Sequence, residues 1–186
     1  MLRLVSALAR RHWWQRILGK FTRVAQPYIR ADALKRTAQF HVGSSMRADF
    51  LVADLEAAKG YDAFVRCKAS RPILADVFET GNLTAVEITT LWAILEHVEW
   101  SADRHFVPEL LSDGEGDSWL HELPLDVVQL LNGLDEKSTQ DTAREWAATE
   151  ELMCSPNDLL PGLNELRQLA SKAIEMKKGL FLWGTV

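Results

Sequence analysis

The clearest hydrophobic pattern in the chain lies between Thr84 and Leu111. Thr84 and Glu87 have the spacing of a capping box, in which a hydroxyl and a carboxylate satisfy free backbone N–H groups at a helix start. Five apolar residues then recur at the spacing of one helix face: Ile88, Leu91, Trp92, Leu95 and Val98. The pattern predicts a buried central helix that begins after Thr84.

Similar stripes, with stop and start signals between them, predict five further helices. They lie at about residues 55–67, 71–79, 125–133, 139–153 and 156–178. The second rests on Ser70 as N-cap, Pro72 in the first turn and Gly81 as the stop. The fourth is expected to be capped by Ser138 with Asp141, and the fifth by Ser155. The polar stretch SDGEGDS after Leu111 is expected to be an exposed loop.

Two short apolar runs interrupt the helical pattern. Phe50–Val52 lies within the first and Leu180–Trp183 forms the second, and both are typical of strands. We expect the strands at 47–53 and 180–184 to pair. The predicted fold is mainly α, of the α+β kind. It is a single domain at residues 46–186 with about six helices and this small sheet.

Charge divides the chain at the same boundary. Residues 1–45 hold nine Lys and Arg against one acid, for a net charge of +8. Residues 46–186 hold twelve against twenty-five, for a net charge of −13, so the whole chain carries −5. Such asymmetry indicates a basic N-terminal extension attached to an acidic domain.

Three interpretations of residues 1–45 stay open. The segment can form a basic amphipathic helix on an anionic membrane or nucleic acid. Its Arg-rich, acid-poor composition is also that of an organellar transit peptide. Alternatively it is a non-native or disordered extension, because Met46 is followed at once by a strand-like run that resembles the start of a domain.

The acidic remainder excludes several classes of protein. Its charge repels phosphate, so nucleic-acid binding is not expected for 46–186. No apolar run approaches the ~18–20 residues of a membrane span, and no membrane contact is expected there. Cys67 and Cys154 show neither metal spacing nor a disulfide framework, which fits reduced thiols in a cytoplasmic protein. No nucleotide-binding or nucleophile motif occurs, and no cofactor, metal or catalytic residue is assigned.

Two groups of residues are weak candidates for chemistry. His97 and His105, with Glu99 and Asp103, could support a small metal-dependent hydrolase, although the spacing matches no known helical metal motif. Surface or helix-edge residues are the simpler interpretation. Glu150 falls on the stripe of its predicted helix and is a possible buried acid. The simpler interpretation there is a side chain that reaches solvent or pairs with an arginine.

A surface is the stronger candidate. Tryptophans set among acids make plausible anchors for a basic protein partner, because aromatic residues are enriched in binding hot spots and complementary charge speeds association. The residues expected to bind are Trp100, Asp103, His105, Asp113, Glu115, Asp117 and Trp119. A solvated acidic face above buried tryptophans is the alternative.

Several short segments of residues 46–186 resemble a group of small bacterial proteins with a domain of unknown function. These are Gly81–Thr84, Leu91–Glu96, Trp119 with Leu123–Pro124, Trp146–Leu152 and Leu180–Trp183. The resemblance implies no activity, cofactor or catalytic residue. Some acidic helical bacterial proteins of this type are similar to toxin-neutralising immunity proteins, which favours a binding role by analogy.

Overall fold

Five strands and five helices make up the part of the chain that the structure, a computed structural model, describes: residues 46–81, 83–112 and 117–186. The strands are β1 (Arg47–Ala53), β2 (Asp76–Gly81), β3 (Glu109–Ser112), β4 (Ser118–Glu122) and β5 (Gly179–Thr185). The helices are α1 (Leu55–Cys67), α2 (Ala85–Leu95), α3 (Leu125–Gly133), α4 (Glu136–Ala147) and α5 (Pro156–Met176). The basic extension at 1–45, with its three interpretations, lies outside the described residues.

The sheet has the strand order β2-β1-β5-β4-β3, and every neighbouring pair is antiparallel. β1 pairs with β5 along its whole length, from Arg47 opposite Thr185 to Ala53 opposite Gly179. The predicted pairing of the 47–53 and 180–184 strands is therefore confirmed. These two strands, the first and last of the described chain, lie next to each other in the middle of the sheet.

Both faces of the sheet are covered. Successive side chains of a strand point to opposite faces, so β1 directs Phe50 and Val52 into one core and Leu51 and Ala53 into another. The larger core joins the sheet to α2, α3, α4 and α5. The smaller core joins it to α1, chiefly through Tyr61. The described residues thus form three layers: one helix, the sheet, and four helices.

The predicted architecture of about six helices and a small sheet is wrong. The described chain has five helices and a five-stranded antiparallel sheet, in an α+β arrangement. The pattern misses β3 and β4 because they are short and β3 contains a register shift between Glu109 and Leu111. It also misses β4 because residues on both faces of this strand are buried, so no polar-apolar alternation is visible.

The helix predicted at about Arg71 to Glu79 is instead an irregular segment followed by β2. Val77 and Phe78 favour a strand, and the residues from Asp76 to Gly81 lie opposite residues of β1. Phe78 stacks on Phe50, with ring centroids 6.5 Å apart. The Ser, Pro and Gly signals are local, whereas the hydrogen-bonding partner of β2 lies in a different part of the chain.

The central helix, α2, begins as predicted. Glu87 Oε2 accepts a hydrogen bond from the Thr84 backbone N–H at 2.7 Å, and Thr84 Oγ1 accepts one from Val86 N at 3.2 Å. The helix ends at Leu95, earlier than the stripe predicts. Val98 is consequently 44% exposed and not part of the core.

The structure agrees with the predicted start of α5 but not with that of α4. Ser155 caps α5 as predicted, but α4 is capped by Asp135 and not by Ser138 with Asp141. Asp135 Oδ1 accepts from Ser138 N at 2.7 Å, and Ser138 Oγ accepts from Asp135 N at 2.8 Å. α4 also ends at Ala147, well before the predicted end at Met153.

Candidate functional site

The loop at residues 96–108, between α2 and β3, contains several of the residues that the sequence selects. We call it the clasp loop. The helix before it ends with Glu96 as C-cap, and His97 then adopts a left-handed backbone conformation with φ of 55°. This turns the chain away from the helix axis, so residues beyond Leu95 no longer follow the buried stripe.

Glu96 ties the two ends of this turn together. Its carboxylate accepts two hydrogen bonds from the Arg104 guanidinium, from Nε at 2.7 Å and Nη2 at 2.9 Å. It also contacts His105 Nε2 at 3.1 Å. The Arg104 pair, helped by His105, lowers the pKa of Glu96 to about 2. Bidentate charge-assisted pairs of this kind are geometrically specific, so the clasp loop is held in one conformation.

His105 has no ring nitrogen free for chemistry. The backbone N–H of Ser101 donates to Nδ1 at 2.9 Å, so the proton of the neutral ring lies on Nε2 and points to Glu96. The residue is 1% exposed, and its ring meets Trp92 edge to face with centroids 5.3 Å apart. We conclude that His105 stabilises the clasp loop from within and is not a surface contact residue.

The two tryptophans expected to bind a partner are both half-buried. Trp100 donates from Nε1 to Thr89 Oγ1 of α2 at 3.1 Å. Trp119 packs so closely on Gly184 of β5 that a Cβ built there would lie 2.3 Å from the Trp119 ring. Each ring therefore has a clear packing role, which limits the area that it can offer to a partner.

The acids selected from the sequence differ in where the structure places them. Asp103 and Asp117 are exposed, whereas Asp113 and Glu115 lie outside the described residues. Glu150 is also exposed, beyond the end of α4, so the possible buried acid of the sequence is not buried. It leaves the stripe because the helix ends three residues before it.

The most exposed apolar side chains near the clasp loop are Phe106 and Leu125, at 66% and 64%. Two contacts bring their segments together: His121 Nδ1 donates to Pro108 O at 3.2 Å, and Glu109 lies opposite His121 between β3 and β4. Burial lowers the pKa of His121, consistent with its position between these segments.

Exposed acids lie close in sequence to these apolar residues: Asp103 and Glu109 on either side of Phe106, and Asp126 next to Leu125. The negative charge of Asp126 makes a small contribution to the raised pKa of Arg104, after the larger effect of Glu96. We define the Phe106 surface as the exposed residues Asp103, Phe106, Glu109, Leu125 and Asp126.

Sequence reasoning did not select Phe106 or Leu125, although one signal for Leu125 exists. Val127, Val128 and Leu131 form the buried stripe of α3, and Leu125, three residues before Val128, falls at the edge of that stripe in the first turn of the helix. A large apolar residue at the edge of a buried stripe is a candidate for a contact outside the domain when it is exposed. Phe106 follows His105 in a loop and carries no comparable pattern.

A second polar cluster lies beneath α1. Asp49 is fully buried and accepts hydrogen bonds from Tyr61 Oη at 2.9 Å and Arg47 Nε at 3.2 Å. Burial, with the Asp49 hydrogen bond, raises the pKa of Tyr61 to about 12, so this phenol cannot act as a base near neutral pH. Trp183 Nε1 also donates to Asp62 Oδ1 at 3.1 Å. The cluster fixes α1 on the sheet.

The histidine and acid groups do not form a metal site in the described part of the chain. There, no three His, Cys, Asp or Glu side chains converge in a way that could hold a metal ion. His97 is exposed, whereas His105 is buried. None of the described helices is long and apolar enough to cross a membrane.

Comparison with protein-family models, curated proteins and solved structures finds no significant match to this chain. The resemblance to small bacterial proteins therefore stays a prediction.

Proposed function

We propose that this chain is a non-enzymatic protein-binding domain, of the adaptor or immunity kind, which binds a basic partner through the Phe106 surface. The observation that supports this is the exposure of Phe106 and Leu125, 66% and 64%, with Phe106 in a loop that the Glu96–Arg104 pair closes. A single exposed apolar residue is ordinary, but apolar residues grouped among polar ones are typical of interaction surfaces.

Charge favours a basic partner. Asp103, Glu109 and Asp126 are exposed in the same two segments as Phe106 and Leu125, while Arg104 is already engaged with Glu96. The net charge of −13 for residues 46–186 acts in the same direction. Complementary charge at the rim accelerates encounter, and desolvated apolar anchors at the centre supply most of the affinity.

The residues selected from the sequence relate to the Phe106 surface in different ways. Asp103 belongs to the Phe106 surface and Asp117 is exposed as well, whereas Asp113 and Glu115 lie outside the described residues and enter only through the net negative charge. Trp100 and Trp119 would support the surface from below through their packing on α2 and β5.

We also infer a cytoplasmic location. Cys67 and Cys154 are both exposed free thiols, and a reducing compartment preserves such thiols.

Photo-crosslinking in cells of the source organism tests the proposal. Benzoylphenylalanine replaces Phe106 or Leu125 in the full chain, and Leu55, which is 40% exposed at the start of α1 on the other face of the sheet, serves as the control position. We expect one protein to be crosslinked from the first two positions and not from Leu55. Loss of about tenfold or more in affinity for the purified partner is expected for Phe106→Ala.

Two results would overturn the proposal: the absence of any specific crosslink from Phe106 and Leu125, or an identical set of crosslinks from Leu55. Because Phe106 is mostly exposed, Phe106→Ala should keep the melting temperature of the parent chain. A loss of binding can then be separated from a loss of folding.

The alternative, a metal-dependent hydrolase at His97 and His105, has no supporting contact in the described residues. Measurement of the metal content of the purified chain checks it. A stoichiometric transition metal that is lost with His97→Ala would revive this alternative.

A further inference from the structure

A groove of about 230 Å³ lies at the β2 edge of the sheet, the edge opposite β3, between β2 and the first half of α5. Its walls are mostly apolar, chiefly Phe78, Leu83, Trp146, Leu152 and Leu159, and Asp158 lies among them. Phe78 is held in place by its stack on Phe50. A cavity of about 150 Å³ accommodates a benzene ring in another protein, so this groove has room for one leucine or phenylalanine side chain.

The backbone of β2 borders the same groove. Among the described residues β2 has a strand neighbour on one side, β1, and it stands at the end of the sheet. In an antiparallel strand alternate N–H and C=O groups point away from the neighbour. At one end of the strand Lys172 Nζ reaches Asp76 Oδ2 at 2.9 Å, and Val77 N donates to Asp76 Oδ1 at 2.9 Å. Phe78–Gly81 is therefore the part of the edge that we consider for pairing.

An edge strand and an adjacent side-chain groove are the two features that a sheet needs to bind an extended peptide. Backbone hydrogen bonds to an edge strand provide affinity, and pockets for alternate side chains provide specificity. Phe78 and Thr80 both line the groove, so a strand added beside them would direct every second side chain toward it.

We propose that β2 and this groove bind an extended segment of a partner protein as a sixth strand, with an apolar side chain in the groove and a basic side chain two residues away near Asp158. No cation of the described residues forms an ion pair with Asp158. A basic segment is favoured over an acidic one because Asp158 is exposed in the groove wall and residues 46–186 carry −13, so that opposite charges attract. This site is independent of the Phe106 surface, which lies near the β3 edge.

The test uses the full chain and a blocked heptapeptide, Thr-Val-Thr-Leu-Thr-Lys-Thr, whose Val, Leu and Lys share one face when it is extended. Titration is followed by the NMR signals of the β2 amides. The key variant is Gly162→Leu, because Gly162 lines the groove and a Cβ built there meets nothing within 4 Å. A leucine can therefore fill the groove without a clash in the core.

We expect saturable binding to the parent chain, weakened about tenfold or more by Gly162→Leu. Gly133→Leu is the matched control, since Gly133 also has open space around it but lies at the end of α3, and it should leave binding unchanged. Asp158→Asn should weaken the lysine peptide by about two- to fivefold, as for an exposed ion pair. It should not affect a peptide with norleucine in place of lysine.

Three results would overturn the proposal. The first is no saturable binding at about 1 mM peptide. The second is equal binding by a peptide N-methylated at the amides that would pair with β2, which would show that strand addition is not involved. The third is a dimer of the parent chain, seen in sedimentation, that Gly162→Leu dissociates, which would assign the edge to a second copy.

Discussion

Glu96 is the residue whose contacts determine the shape of the clasp loop. Its carboxylate is 12% exposed and binds both Arg104 and His105, although Arg104 itself is 61% exposed and so partly screened by solvent. We expect Glu96→Gln to lower the free energy of unfolding by about 1 kcal/mol, the usual difference between hydrogen bonds to charged and to neutral acceptors. Urea denaturation at neutral pH measures this loss.

The same residue predicts a dependence on pH. Because the fold lowers the pKa of Glu96 from 4.5 to about 2, its contribution is complete above pH 4.5 and is lost as the pH falls through about 2. The stability difference between the parent chain and Glu96→Gln should therefore shrink across this interval. Glu99→Gln, an exposed carboxylate in the same loop, is the control. A difference that stays constant down to pH 2 would contradict the role of the Glu96 carboxylate.

Gly184 is required by the close approach of Trp119. A Cβ at this position would lie 2.3 Å from the ring, so the ring or the strand must move. We expect Gly184→Ala to lower the free energy of unfolding by about 1–3 kcal/mol, as other overpacked sites do. Tryptophan fluorescence during denaturation reports both the stability and the altered Trp119 environment.

Gly133→Ala controls for the general effect of replacing glycine. A Cβ there meets no atom within 4 Å, and alanine favours the helix, so this variant should equal or exceed the stability of the parent chain. Equal stability of the Gly184 and Gly133 variants would exclude the steric argument.

At the scale of whole elements, the structure and the sequence pattern indicate different N-caps for α4. The structure assigns the cap to Asp135 with Ser138, whereas the sequence pattern favours Ser138 with Asp141. Asp135→Ala should lower the melting temperature by about 2–4 °C, the effect of a lost N-cap in a chain of this length. Among the described residues Asp141 forms an ion pair with exposed Arg144 and does not cap the helix, so Asp141→Ala should have a smaller effect. The reverse order of these two variants in differential scanning calorimetry would show that the helix begins later.

The helices differ from the strands in how far the sequence predicts them. α2 and α5 have caps, Thr84 and Ser155, that act within one helical turn, so neighbouring residues suffice to locate their starts. β2 has no such local signal. Its conformation depends on pairing with β1, and Val77 and Phe78 can be accommodated in either structure until that pairing exists.

In the candidate site, too, the sequence predicts what neighbouring residues determine and misses what depends on more distant contacts. In the sequence the polar and aromatic candidates accumulate after Leu95, and the helix ends there. It cannot show that His105 turns inward, because this depends on the turn at His97 and on the salt bridge of Glu96 with Arg104. Phe106 is exposed for the same reason. The polar residue His105 is therefore buried and the apolar residue Phe106 is exposed, the reverse of what their chemistry alone predicts.

For the molecule as a whole, β5 is the element on which the sheet depends. It lies between β1 and β4, and it also contributes Leu182 to the larger core and Trp183 to the smaller core. A chain that ends at Lys178 would leave β1 and β4 with unpaired edges facing each other across a gap, and both cores would lose large side chains. We expect this truncated chain to show no cooperative unfolding transition and to aggregate, because open apolar edges pair with other chains.

The control for this truncation removes Val186 alone. Val186 is 49% exposed and lies beyond the last residue of β5, so the shortened chain should retain a cooperative transition near that of the parent. Amide hydrogen exchange on the parent chain adds a second measurement: amides in the middle of β1 and β5 should exchange only through global unfolding, and those of the edge strands β2 and β3 sooner. Equal protection at centre and edge would contradict this hierarchy. A truncated chain that still folds would show that the helices hold β1 and β4 without β5.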